Sequence, residues 1–177
     1  MRNGFRKVSA TAAVILVFVL LAIGAKANIP LAAGTKVQVV FEQDISSKYV
    51  APGDLVPIRL DGEVNYGGII AVKDGAKGLA RVKSVKSAGR GGKPGSVEVE
   101  LLELEPDGSY KAEGDKKIAL KSITDDGTGT IRAKGKGRKT LSYLLIFGLF
   151  IKGTEGVIPA GQSFPAIIKE DIVILVE

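Results

Sequence analysis

Short runs in which apolar and polar residues take turns fill this chain, and a backbone patterned with a period of two is committed to β-sheet. Val37, Val39 and Phe41 alternate with Lys36, Gln38 and Glu42, which predicts a half-buried strand over residues 35–42. Val56, Ile58 and Leu60 repeat the pattern over 54–60, where Pro57 predicts an edge strand or an irregular start. Residues 79–86 set Ala80 and Val82 against Arg81 and Lys83. In 97–105 the apolar phase slips from Val97, Val99 and Leu101 to Leu102 and Leu104, which predicts a β-bulge near Leu101 and Leu102. Ile118 and Leu120 begin another strand, and 167–176 reads as a closing one. Asp61-Gly62 and Asp107-Gly108 supply turns between these runs. No long stripe of period 3.6 follows the first 27 residues, so the expected fold is all-β, a small β-barrel or sandwich-like domain.

Residues 1–27 have a different grammar. Arg2, Arg6 and Lys7 precede an apolar core from Val14 to Ile23, and Ala25-Lys26-Ala27 follows with small residues at the cleavage spacing. That order predicts a signal peptide cut before Asn28, and an exported, periplasmic or cell-envelope protein. A retained span is the alternative, but ten core residues fall short of the roughly 20 that a helix needs to cross a bilayer. The leader also carries four of the 25 Lys and Arg residues and none of the 19 Asp and Glu. The remaining 28–177 therefore holds 21 basic against 19 acidic residues, a near-neutral surface unsuited to nucleic acid. Its length suits one domain.

Cysteine and histidine are both absent. Disulfides, thiolate nucleophiles, imidazole-ligated zinc and Ser-His-Asp machinery are thereby excluded. Ser-x-x-Lys does not occur, and Asp125-Asp126-Gly127 lacks the ligand spacing of a calcium loop, which leaves it reading as a turn. Glu98, Glu100, Glu103 and Glu105 form an acidic ladder that would suit a carboxylate-dependent hydrolase acting on envelope glycan. Their alternation with valines and leucines instead predicts the wet face of a strand. No catalytic residue, cofactor or metal is expected.

Two basic glycine-rich stretches interrupt the pattern. Residues 89–95 lack the spacing of a phosphate-binding loop and predict a long hairpin connection. Residues 127–139 predict a mobile loop in which Arg132, Lys134, Lys136, Arg138 and Lys139 are candidate electrostatic contacts. The apolar segment 141–151 comes next, too short for a helical crossing and suited either to the core or to contact with a membrane or partner. Leu144, Leu145, Phe147, Leu149 and Phe150 are its candidate contact residues. The pairing of this segment with adjacent cations suits an anionic bilayer surface or an envelope protein.

The chain also echoes itself. Residues 33–45 align without gaps on 160–172, each following an Ile-Pro, with Ala33-Gly34 matching Ala160-Gly161 and Asp44-Ile45 matching Asp171-Ile172. A looser copy, Val72-Lys73-Asp74-Gly75-Ala76, precedes the strand at 79–86. Such repeats suit a barrel whose first and last strands pair and close the sheet. The succession Ala33-Gly34-Thr35, Ile45-Ser46-Ser47, Pro52-Gly53-Asp54, Asp74-Gly75-Ala76-Lys77-Gly78 and Gly89-Arg90-Gly91-Gly92-Lys93-Pro94-Gly95 resembles a group of uncharacterised exported bacterial β-domains. More distantly, over residues 29–122, it is similar to the C-terminal barrel of the channel-forming scaffold component of type IV secretion systems. That resemblance implies an envelope component in which 141–151 stands where the scaffold family carries a membrane-directed helix. The expectation overall is a non-enzymatic, envelope-associated binding or structural protein.

Overall fold

The computed structural model describes residues 27–106, 110–124, 128–136 and 152–176. Six strands close into an antiparallel barrel: β2 (Lys36–Phe41), β4 (Leu55–Leu60), β7 (Lys77–Lys86), β8 (Ser96–Leu104), β10 (Ile118–Ser122) and β13 (Ser163–Ile168). They pair in the order β2-β4-β7-β8-β10-β13, and β13 returns to β2. β11 (Thr130–Lys134) adds to β8 outside the closed ring. Smaller sheets flank it: β1 (Ala27–Leu31) with β14 (Ile172–Val176) and β9 (Tyr110–Ala112), β3 (Ile45–Ser46) with β12 (Val157–Ile158), and the hairpin of β5 (Val64–Tyr66) and β6 (Ile69–Val72).

The alternation decides which side chains fill the barrel. Val39, Phe41, Val56, Ile58, Leu60, Ala80, Val82, Val97, Val99 and Leu101 are all buried, each from the apolar parity of its strand. Arg81, Lys83 and Glu100 from the opposite parity are exposed. The phase slip in β8 is a bulge: Leu79 pairs with Glu103 and Ala80 with Leu101, so Leu102 is the extra residue and Leu104 turns inward.

The internal echo is a local two-fold. β2 and β13 lie side by side, with Val37 opposite Ala166 and Val39 opposite Phe164, pairs that exchange under the alignment. Leu31 faces Ile172 and Pro30 faces Val173 between β1 and β14, just as the matching Ile158 faces Ile45 and Val157 faces Ser46 between β12 and β3. Asp171 Oδ1 accepts from Ala33 N at 2.6 Å, and Asp44 Oδ1 accepts from Ala160 N at 2.7 Å. Gly34 N donates to Ile168 O, and Gly161 N donates to the equivalent Phe41 O. Both glycines have positive φ, which an L side chain adopts only under strain. The first and last described strands, β1 and β14, pair in a flanking sheet, while the echoed strands themselves close the barrel.

Three expectations are corrected. Pro57 lies within the ring between β2 and β7, not at an edge. It is accommodated because Pro57 faces Glu42, one residue past the end of β2, so its missing N–H removes only a terminal rung. The closing run 167–176 is two strands, β13 and β14, separated at Lys169, Glu170 and Asp171. Part of the expected basic loop 127–139 is strand β11, whose pairing with β8 is a nonlocal contact that its local glycine content conceals.

Candidate functional site

β8 is the longest partner on its side of the barrel, and two strands share its edge in succession. β10 pairs with it only at Ile118 and Ala119, opposite Leu104 and Glu103. β10 then leans away to stay with β13, where Leu120, Lys121 and Ser122 face Ile168, Ile167 and Ala166. β11 takes over on β8 at Thr130, opposite Glu100. The result is a fork between β10 and β11, and it opens a groove of about 450 Å³. Ser122, Ile123, Thr124, Thr130, Ile131, Arg132, Phe164 and Pro165 line it. Ser122 and Thr130 are buried, Phe164 is half-buried against Phe41 edge to face, and Ile123 is 41% exposed. Ser122 Oγ has no hydrogen-bond partner among the described residues.

The cations gather beside this fork. Arg132 and Lys134 point outward from β11, and Lys136 follows directly. Arg132 Nε holds Glu98 Oε1 at 2.8 Å across the β8 pairing. Lys121 projects from β10, and its stem crosses Gly129, where an added Cβ would fall 2.8 Å from Lys121 Cε. Neither Lys121, Lys134 nor Lys136 meets an acidic group among the described residues. Of the candidate electrostatic contacts, Arg132 and Lys134 are thus brought together on β11 with Lys136 two residues past its end, while Arg138 and Lys139 lie outside the described residues. The candidate apolar contacts Leu144, Leu145, Phe147, Leu149 and Phe150 also lie outside them.

A second polar cluster joins three chain segments. Ser47, 1% exposed, donates its hydroxyl to Glu155 Oε2 at 2.7 Å and accepts from Gly156 N at 3.0 Å. Glu155 Oε2 also accepts from Ala88 N at 2.8 Å, and Lys152 Nζ sits 3.4 Å from Oε1. The Ala88 N–H, then the Ser47 hydroxyl and then Lys152, hold the Glu155 carboxyl below its ordinary value against the opposing effect of desolvation. Gly95, at the end of the 89–95 connection, packs against this junction. A Cβ on Gly95 would sit 2.5 Å from Ser47 Oγ, and one on Gly153 would overlap the Lys93 carbonyl. Gly153 therefore lets two backbones meet, and Gly95 leaves room for the Ser47 hydroxyl and the Glu155 carboxylate.

The acidic ladder of β8 lies on the outer face. Lys117 Nζ bridges Glu103 Oε1 at 2.7 Å and Glu105 Oε1 at 2.9 Å, and these two contacts raise the Lys117 pKa in that order. The two glutamates and Glu42 border a smaller hollow of about 200 Å³ with Pro57, Lys77 and Leu79. The Lys117 ammonium thus lies between the Glu103 and Glu105 carboxylates. No group of three or more carboxylates that could hold a metal ion forms among the described residues.

The sequence reading missed Ser122, Lys121 and the Ser47–Glu155 junction. Parity carried the signal for the first, since Ser122 continues the inward series Ile118 and Leu120 of β10. The junction has no comparable local signal, because Ser47 and Glu155 are 108 residues apart in the chain. Comparison with protein-family models, with curated proteins and with solved structures gave no match.

Proposed function

We propose that this chain is an exported envelope protein that acts by binding rather than catalysis and holds an anionic protein partner along β11. The basic side of β11 carries the reading: a strand at the edge of its sheet among the described residues that sets Arg132 and Lys134 outward, with Lys136 and Lys121 beside them. Lysines on a strand edge that meet no acidic group among the described residues also discourage indiscriminate sheet-to-sheet association, so a partner that neutralises them is selected by charge. The leader at 1–27 supports export, and 28–177 as the mature chain follows from it.

Labelled poly-glutamate serves as the anionic probe. The mature protein is expected to bind it in a salt-sensitive manner, with affinity falling about tenfold when Lys134→Glu and Lys136→Glu are combined. Equal binding by the variant would refute the reading. Preferential, charge-dependent capture by phosphatidylglycerol vesicles instead of poly-glutamate would replace the protein partner with a membrane surface. Fractionation of cells expressing the full chain is expected to yield a product beginning at Asn28 outside the cytoplasm, and an intact leader would count against export.

A further inference from the structure

We infer that the fork between β10 and β11 is a peptide-binding site, which takes an acidic, extended segment of a protein partner as an added strand. This deepens the reading of β11 as a binding edge and rests on it. The hydrogen-bond alternation supplies the first argument. Ile123 N donates to Pro165 O, and Ala119 O accepts from Lys169 N, so Ala119, Lys121 and Ile123 turn their backbone groups toward β13. In an antiparallel ladder the intervening residues must face the other way. Ser122 therefore presents N–H and C=O to the fork, at the point where β10 has left β8, whereas the Leu120 N–H still belongs to the last rung with β8 beside the Ala119–Glu103 pair.

The same rule applies across the gap. Gly135 N donates to Gly95 O in continuation of the β11 ladder, which places Ile131 and Ala133 toward β8 and turns the backbone of Thr130 away from it. Two strand edges thus border one groove. Its volume of about 450 Å³ lies within the range of roughly 300–1,000 Å³ typical of ligand sites. A three-residue strand, roughly 10 Å long, can use both edges in the manner of β-augmentation.

Side chains select the sequence of the guest. Ser122 Oγ is buried at 3% residue exposure with no partner among the described residues, a position that favours a ligand able to complete a hydrogen bond. Ile123, Phe164 and Pro165 offer an apolar wall for alternate side chains of the guest. Lys121, Lys134 and Lys136 offer charge for the others. β8 already displays the complementary pattern on the occupied edge of β11, where Val97-Glu98-Val99-Glu100 runs opposite Thr130–Ala133 and Glu98 holds Arg132.

An eight-residue fluorescent peptide of alternating Val and Glu is the probe, titrated into the mature protein by anisotropy. A second peptide of the same sequence, N-methylated at alternate residues, keeps its charge but loses backbone donors. Binding of the first peptide is expected, weakened at least tenfold by N-methylation and several-fold by Ser122→Ala at unreduced melting temperature. Amide exchange at Ser122 and Thr130 is expected to slow on binding. Equal affinity for the two peptides would overturn the strand-addition site while leaving the charge-based function standing if poly-glutamate still binds. Loss of binding to both peptides and to poly-glutamate would overturn both. Assembly of the protein with itself through the fork in place of peptide binding would also overturn the inference.

Discussion

Ser47→Ala removes one oxygen atom from the junction of three segments, and the geometry sets what that atom is worth. Its hydroxyl donates to a carboxylate oxygen at 2.7 Å and accepts the Gly156 N–H at 3.0 Å, with Ser47 1% exposed and Gly156 buried. A hydrogen bond to a charged group contributes roughly 1.5–3 kcal/mol, and stranding a buried N–H costs roughly 1–3 kcal/mol. Ser47→Ala is therefore expected to destabilise by about 4 kcal/mol. For a domain of this size that corresponds to a melting temperature lower by roughly 8–16 °C. The measurement is urea unfolding followed by circular dichroism, with Ser122→Ala alongside. Ser122 is as buried as Ser47 but its hydroxyl has no partner among the described residues, so its removal is expected to leave stability unchanged or raised. A loss below about 1 kcal/mol for Ser47→Ala, or equal losses for the two serines, would refute the claim that partners rather than burial decide the value of these hydroxyls.

Acid is expected to open the same junction. The folded state holds Glu155 below its usual value of 4.5, so its contribution is fully present above that value and is lost as pH falls through the lower folded pKa. Melting curves from pH 7 to pH 3 should show a steeper acid loss for the native chain than for Glu155→Gln, and parallel profiles would contradict the assignment. Gly153→Ala is expected to destabilise by about 2–3 kcal/mol, because a Cβ there overlaps a backbone carbonyl that has no rotamer to escape into. Gly89→Ala, whose Cβ would meet Lys93 Cβ at an ordinary 3.4 Å, is expected to change stability by no more than about 0.5 kcal/mol in the same unfolding assay.

What could be read in advance divides along a physical line. Parity along a strand is written locally, because successive side chains leave a pleated backbone on opposite sides. Val37, Val39, Ala80, Val82, Val97 and Val99 therefore announced their inward positions, and the phase slip at Leu101 and Leu102 announced the bulge. The echo of 33–45 in 160–172 likewise pointed to related strands, and these sit beside each other as β2 and β13.

Pairing is written less clearly, because ladder hydrogen bonds join backbones and carry little side-chain identity. β11 hid within a basic, glycine-rich stretch and becomes a strand only because β10 vacates the edge of β8. Pro57 looked like an edge marker and sits inside the ring, since its missing donor happens to face the end of β2. Local residue pattern alone specified a β fold, the faces of its strands and a repeated strand-forming unit. That β10 and β11 part to leave a groove, and that Ser47 meets Glu155, came from the fold, because both depend on which distant backbones the closed barrel brings together.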